Sequence, residues 1–134
     1  MNRRLLNPTS LPIPKGTYHQ VAIAPPGQLV AIAGQAARDE TGIVCVGDVR
    51  GQTRFVLNKV RSAIESVGGN IADIIAVTVY ITDARFYNDV NEVRLEEWGT
   101  DTPTSTMIEV NSLVSPEMLV EVTALAVVPE KRLI

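Results

Sequence analysis

Cysteine and histidine each occur once, as Cys45 and His19. A single cysteine excludes an intrachain disulfide, and one cysteine with one histidine cannot supply the usual ligands of a zinc site. The two lie far apart in sequence, with nothing to mark them as a nucleophile and its base. Aromatic residues make up only 4% of the chain, so the interior has to be built from Val, Ile, Leu and Ala. No apolar run reaches the roughly 20 residues of a membrane-spanning helix. Met1-Asn2-Arg3-Arg4 carries the charge of a signal-peptide start. Asn7, Pro8, Thr9, Pro12 and Pro14 then interrupt the apolar stretch of about 7–15 residues that should follow it. These absences predict a cytoplasmic protein without a membrane span or a zinc site. A basic excess is missing too. The net charge is −3, which argues against a nucleic-acid partner. Arg50, Arg54 and Arg61 recur at helical spacing with Lys59 nearby, and a solvated helix face explains them most simply.

What is present describes a globular chain. The 134 residues are 46% hydrophobic and 20% charged, with no repeat, low-complexity run or linker. A chain of this length buries roughly two-thirds of its unfolded surface and folds without a staple. A single domain over residues 1–134 is expected, its Pro-rich opening up to Pro14 an irregular arm.

From Lys15 onward the pattern is legible. Tyr18 to Ala24 has strand character and ends at the turn Pro25-Pro26-Gly27. Leu29 to Ala33 reads as a buried strand, and Ile43 to Val46 as a returning one after the turn Asp39-Glu40-Thr41-Gly42. Asp48 can cap a helix to about Val67 whose apolar stripe is Val49, Val56, Val60, Ala63, Ile64 and Val67, stopped by Gly68-Gly69. Ile74 to Thr82 alternates, with Ile75, Val77, Val79 and Ile81 pointing one way. Asp83 can cap a second helix with Phe86, Val90, Val93 and Trp98 on its inner stripe, ended by Gly99. Thr104 to Val110 and Leu119 to Val128 complete the order β-β-β-α-β-α-β-β. Such mixing predicts an α+β fold with both helices on one face of a mixed sheet. Strands apolar on both faces favour an oligomer in which sheets pack together.

Four segments carry a resemblance. They are Ala31-Ile32-Ala33-Gly34-Gln35; Asn58-Lys59-Val60 through Glu65-Ser66-Val67-Gly68-Gly69; Val79-Tyr80-Ile81-Thr82-Asp83 with Phe86 and Val90-Asn91; and Pro103-Thr104-Ser105-Thr106 with Val110, Leu119-Val120-Glu121-Val122 and Ala124-Leu125-Ala126. In this order and spacing, from about Asn7 to Val128, the chain resembles the YjgF/RidA family. The resemblance implies the chorismate-mutase-like fold of that family. It also implies a homotrimer with a barrel-like core and small-molecule sites in the clefts between subunits. Deaminase members hydrolyse 2-imino or enamine acids to 2-keto acids and ammonia without a cofactor. In them an arginine holds the substrate carboxylate and a glutamate positions the attacking water.

Carried over by the resemblance, Glu121 and Tyr18 are the candidate catalytic residues, and Gly34, Asn91, Ser105 and Met107 the candidate ligand contacts. Three positions depart from the deaminase pattern. Ala33 stands for a serine, Met107 for a cysteine and Ser105 for the arginine. A guanidinium grips a carboxylate through two charge-assisted bonds, whereas a serine hydroxyl offers one neutral donor. Losing such a contact in a desolvated cleft costs about 2–5 kcal/mol, roughly a 30- to several-thousand-fold loss of affinity. Arg38 or Arg85 could reach the cleft in its place.

Each residue also has a plainer reading. Glu121 lies either on a solvated strand face or in a polar cleft, where it would suit general acid–base work. Tyr18 could be an edge aromatic, with His19 beside it. Asn91 could cap a neighbouring backbone group, Ser105 could be an ordinary strand residue, and Cys45 an inert turn residue. Three functions follow. The favoured one is hydrolysis of an imine, enamine or related C–N bond in a substrate other than the 2-imino acids. The alternative is a module that binds or senses a small ligand without turnover. RNA cleavage, attributed to some relatives, has only the arginine stripe behind it.

Overall fold

The computed structural model describes residues 2–134; Met1, which opens both the basic start and the expected domain, lies outside them. In chain order the strands and helices are β1 (Arg4–Leu6), β2 (Val21–Ile23), β3 (Gln28–Ala36), β4 (Arg38–Asp39), β5 (Gly42–Ile43), α1 (Val49–Glu65), β6 (Ile74–Ile81), α2 (Tyr87–Trp98), β7 (Thr104–Glu109) and β8 (Val120–Val128). Four strands form the main sheet in the order β3-β8-β6-β7. β8 runs antiparallel to β3 and β6, while β7 is parallel to β6 and reached through α2. The expected α+β architecture, a mixed sheet with two helices on one face, is what forms.

Strand β8 shows why the sheet buries one face. Val120, Val122, Ala124, Ala126 and Val128 are buried, while Glu121 and Thr123 are half-buried and Leu125 is exposed. Period-two alternation sends the first set toward the helices and the second to the open face. Val56, Val60 and Ile64 of α1 are fully buried against that apolar side. Each contributes about 1.5–3 kcal/mol. A charge at Val60 would break this contact. The open face presents Leu29, 68% exposed, and Leu125, 42% exposed.

Asp48 caps α1 by accepting from the Gly51 N–H at 2.9 Å. The helix stops two residues short of Val67. Gly68 takes φ 91°, the left-handed region that only glycine enters cheaply, and Gly69 N–H returns to the Ile64 carbonyl at 3.0 Å. Asp83 does cap the second helical segment, but through a short 3-10 turn, Ala84–Phe86, that leads into α2.

Arg50, Arg54 and Arg61 turn out to join the helices. Arg50 reaches Asp89 at 3.0 Å, Glu92 at 3.0 Å and Glu96 at 3.3 Å. Arg54 pairs with Glu96 and Glu97, and Arg61 donates to the Glu97 carbonyl.

Four expectations need correction. The arm to Pro14 is not wholly irregular, because Arg4–Leu6 pairs antiparallel with Val21–Ile23. The strand expected over Tyr18–Ala24 shrinks to that same Val21–Ile23. The strand expected from Ile43 to Val46 ends at Ile43, because Cys45 takes φ 52° and turns the chain toward the α1 cap. A register shift between Ile74 and Ala76 takes Ile75 out of line, so Ile74 fills the core position.

Candidate functional site

Glu121 projects from β8 on the open face, over the backbone of Gly34 in β3. A Cβ added to Gly34 would come 2.9 Å from the Glu121 Cδ and closer still to Oε2. Glycine here leaves the space that the Glu121 carboxylate fills. The strand makes room with a bulge, since Ile32 pairs with Ala124 but Gln35 with Val122, one extra residue on β3. Gly34 and Glu121 line a cavity of about 370 Å3 with Gln35, Arg38, Lys59 and Met118. The Lys59 ammonium is tied at 3.0 Å to each of the Ala36 and Arg38 carbonyls, which fixes a cation at the rim. The cavity thus sets one carboxylate opposite two basic side chains.

The other four expected residues lie elsewhere. Tyr18, Asn91, Ser105 and Met107 line a second cavity of about 190 Å3, together with Tyr87 and Arg94. Register explains the separation. Ser105 pairs with Val77 and Met107 with Val79, so both point to the helix-covered face at the β7 edge. Glu121 pairs with Tyr80, one step out of phase, and points to the open face. Within one chain the six residues therefore form two groups, of two and of four.

The second cavity is rich in donors that lack acceptors. Arg94 is 2% exposed, and neither its Nε nor its Nη2 has a hydrogen-bond partner. Asn91 Nδ2 and Ser105 Oγ are likewise buried without partners. Asn91 Oδ1 accepts from the Thr17 hydroxyl at 3.0 Å, which ties the N-terminal arm across α2. Burial lowers the Arg94 guanidinium to about 10, and among the described residues Tyr87 alone opposes this. It is still protonated at neutral pH, a buried cation with no carboxylate beside it.

Of the two arginines expected as substitutes, Arg38 lines the Glu121 cavity. Arg85 lines neither site. It forks onto Asp83, with Nη2 to Oδ2 at 2.6 Å, and its hydrogen bonds pull that carboxyl down to about 2. His19 lines neither of these two cavities; its Nδ1 lies 2.7 Å from the Thr102 carbonyl. Sequence reasoning missed Arg94, although a signal existed. It lies four residues from both Val90 and Trp98, in the middle of the buried stripe of α2. Among the described residues no group of three His, Cys, Asp or Glu could hold a metal ion, and no helix is long and apolar enough to cross a membrane.

Comparison with known proteins places this geometry. The sequence profile of a family described as Endoribonuclease L-PSP matches residues 9–128. The chain belongs to that family. This is the YjgF/RidA family to which the four sequence segments pointed. A RutC family protein of Pyrococcus horikoshii is 37% identical over 116 residues, covering 86% of this chain and 90% of its own. A second, from Pyrococcus abyssi, is 32% identical over 127 residues, covering 94% and 98%. Among solved structures, a Rid family protein of unknown function from Yersinia pestis superposes with a TM-score of 0.86 at 26% identity, over 96% of this chain and 100% of that one. A YjgF/YER057c/UK114 family member from Mycobacterium tuberculosis gives 0.67 at 27% identity, over 94% and 99%.

Proposed function

We propose that the chain hydrolyses a C–N bond, imine or enamine, in a small metabolite bound in a cleft that two copies of the chain form together. One observation carries the reading: the Glu121 carboxylate stands over the Gly34 backbone, in a cavity that Arg38 and Lys59 also line. Glu121 would accept a proton from water as the oxygen attacks the imine carbon and pass it to the nitrogen, then carry the proton of the new hydroxyl to the nitrogen as ammonia leaves and the carbonyl forms. The oligomer is a homotrimer in this reading, as the family resemblance implies. The exposed Leu29 and Leu125 on the open face support it, because solvated leucines on a sheet face gain from a second sheet. Ser105 puts a neutral hydroxyl on β7 where the resemblance expects a cation, so the substrate is held differently from the 2-imino acids of arginine-bearing members.

Ligand binding without turnover is the second reading. It draws on the donor-rich cavity around Asn91 and Ser105, which Glu121 does not enter within one chain. RNA cleavage, the activity in the family's description, has less behind it. The carboxylates of α2 already engage Arg50 and Arg54, the arginines that would have to meet phosphates.

The deciding experiment follows the decay of enzymatically generated 2-iminopropanoate with the native protein, Glu121→Gln and Ser105→Arg. Faster keto-acid formation that Glu121→Gln abolishes supports hydrolysis. If only Ser105→Arg is active, the cleft chemistry is intact but the native substrate is another. No activity in any of the three would sink the hydrolytic reading.

A further inference from the structure

We propose that the cavity between α2 and β7 is a carboxylate-binding site whose clamp is Arg94. Placing the substrate's acid group there rests on the hydrolytic reading; the anion site itself does not.

The argument starts from an unbalanced charge. A guanidinium withdrawn from water needs a counter-charge or a full set of acceptors, and leaving it without either is costly. Arg94 is 2% exposed, has no carboxylate beside it, and leaves Nε and Nη2 without acceptors. These two nitrogens lie on one edge of the guanidinium plane, the edge that forks onto the two oxygens of a carboxylate. Two further unpartnered groups converge on the same space, Asn91 Nδ2 from α2 and Ser105 Oγ from β7. A cation and two neutral polar groups, all unsatisfied in one cavity, are complementary to an anion.

The fold puts them together simply. Tyr87, Asn91 and Arg94 stand at i, i+4 and i+7 on one ridge of α2, and Ser105 faces that ridge from the adjoining strand. The arm forms the roof. Gly16 passes so close that a Cβ there would lie 2.7 Å from Tyr87 Oη and 3.3 Å from Asn91 Nδ2, and Thr17 is bonded to Asn91.

Size and charge select the anion. The cavity, about 190 Å3, is smaller than the roughly 300–1,000 Å3 that drug-sized ligands occupy. One guanidinium edge balances one negative charge. A planar monocarboxylate fits that edge, whereas a phosphate dianion would leave charge unmatched. The cation that sequence reasoning sought on β7 is thus supplied by the neighbouring helix.

The test titrates pyruvate, pyruvamide and inorganic phosphate into the native protein, Arg94→Met and Arg94→Lys. Affinity is read from calorimetry and from the Arg94 Nε–Hε NMR resonance. Pyruvate should bind and shift that resonance, with pyruvamide and phosphate at least about 30-fold weaker. Arg94→Met should lose about 30-fold or more. Arg94→Lys should lose most of it too, because an ammonium keeps the charge without the fork. Without ligand, Arg94→Met should melt at or above the native temperature, since it removes an unpaired buried charge. Pyruvate binding that is absent, unchanged in Arg94→Met, or matched by pyruvamide or phosphate overturns the proposal. If Arg94→Met does not fold, equal pyruvate affinity in Arg94→Lys and native protein overturns it instead. Arg94-dependent pyruvate binding with no effect on 2-iminopropanoate decay by either the native protein or Ser105→Arg upholds the clamp and removes the hydrolytic reading. Accelerated decay that Arg94→Met leaves untouched does the reverse.

Discussion

Ser105 and Glu121 face opposite sides of one sheet. Ser105 aligns with Val77 on the buried side, and Glu121 with Tyr80 on the open side. One ligand cannot touch both within a single chain. If both serve one reaction, a second copy must bring its own Glu121 to the β7 edge of the first. Sedimentation equilibrium should therefore give three times the 14.5 kDa chain mass at micromolar concentration. Leu125→Glu, which sets a charge on the open face, should yield a folded monomer that forms no keto acid. A native monomer, or an active Leu125→Glu monomer, would rule out the shared cleft.

Gly34 and Glu121 should be coupled. Gly34→Ala places a methyl where the Glu121 carboxylate now lies. The obstructed atoms are the end of a flexible side chain, so the carboxylate swings away at little cost and stability falls by less than about 1.5 kcal/mol. Position matters far more to chemistry than to folding, and keto-acid formation should drop about 100-fold. Added to Glu121→Gln, the same substitution should do almost nothing further. Additive losses in the double variant would show that the two residues act separately.

Asp73 and Arg132 make an acid-sensitive tie between the start of β6 and the C-terminal end. Arg132 Nη1 and Nη2 reach the Asp73 oxygens at 2.9 and 2.6 Å, and Asp73 Oδ2 also accepts from the Asn70 N–H at 2.8 Å. Burial alone would raise this carboxyl, but the Arg132 and Asn70 bonds outweigh it and hold it below the usual range. A folded value below the unfolded one means the stabilisation is complete above the ordinary carboxyl pKa, about 3.9. It is lost as pH falls from there through the folded value. Asp73→Asn should thus cost about 2 kcal/mol at pH 7 and progressively less in acid. A gap that persists unchanged at pH 2 would contradict this origin.

How much of this was legible in the sequence differs from residue to residue. Asp48 and Gly68 mark the ends of α1 because capping and left-handed stops are local chemistry. Alternation marks β6 because one of its faces is buried. Strand β1 gave no signal, since three residues acquire their pairing only from Val21–Ile23, far along the chain. Ile75 looked like core by parity, and a register shift against β8 displaced it. The six site positions were visible through resemblance, but their division between two faces depends on cross-strand register, which no single strand carries. Arg94 sits in the apolar stripe between Val90 and Trp98, and only its burial there, which tertiary packing decides, sets it apart from the other charges of α2.

Gln52 links α1 to the start of β8, and so to the placement of Glu121. It is fully buried, accepts from the Leu119 N–H at 2.8 Å and donates to the Glu117 carbonyl at 2.8 Å and the Cys45 carbonyl at 3.2 Å. An amide supplies both kinds of bond at once, which no apolar residue of similar size can do. Gln52→Leu would strand three backbone groups and should cost about 2–4 kcal/mol, lowering the melting temperature by roughly 6–16 °C. Gln52→Glu separates packing from polarity. At neutral pH the introduced carboxylate can accept from Leu119 but faces two carbonyls that it cannot satisfy. Burial and those carbonyls raise its folded pKa above the ordinary value. Its relative stability is therefore greatest in mild acid, where the neutral acid regains a donor, and declines as pH rises through the raised value. Thermal melts of Gln52→Glu between pH 5 and 8, set against the native protein, should show that decline. A difference that does not change over this range would mean the three bonds contribute little, and that Gln52 is held by packing alone.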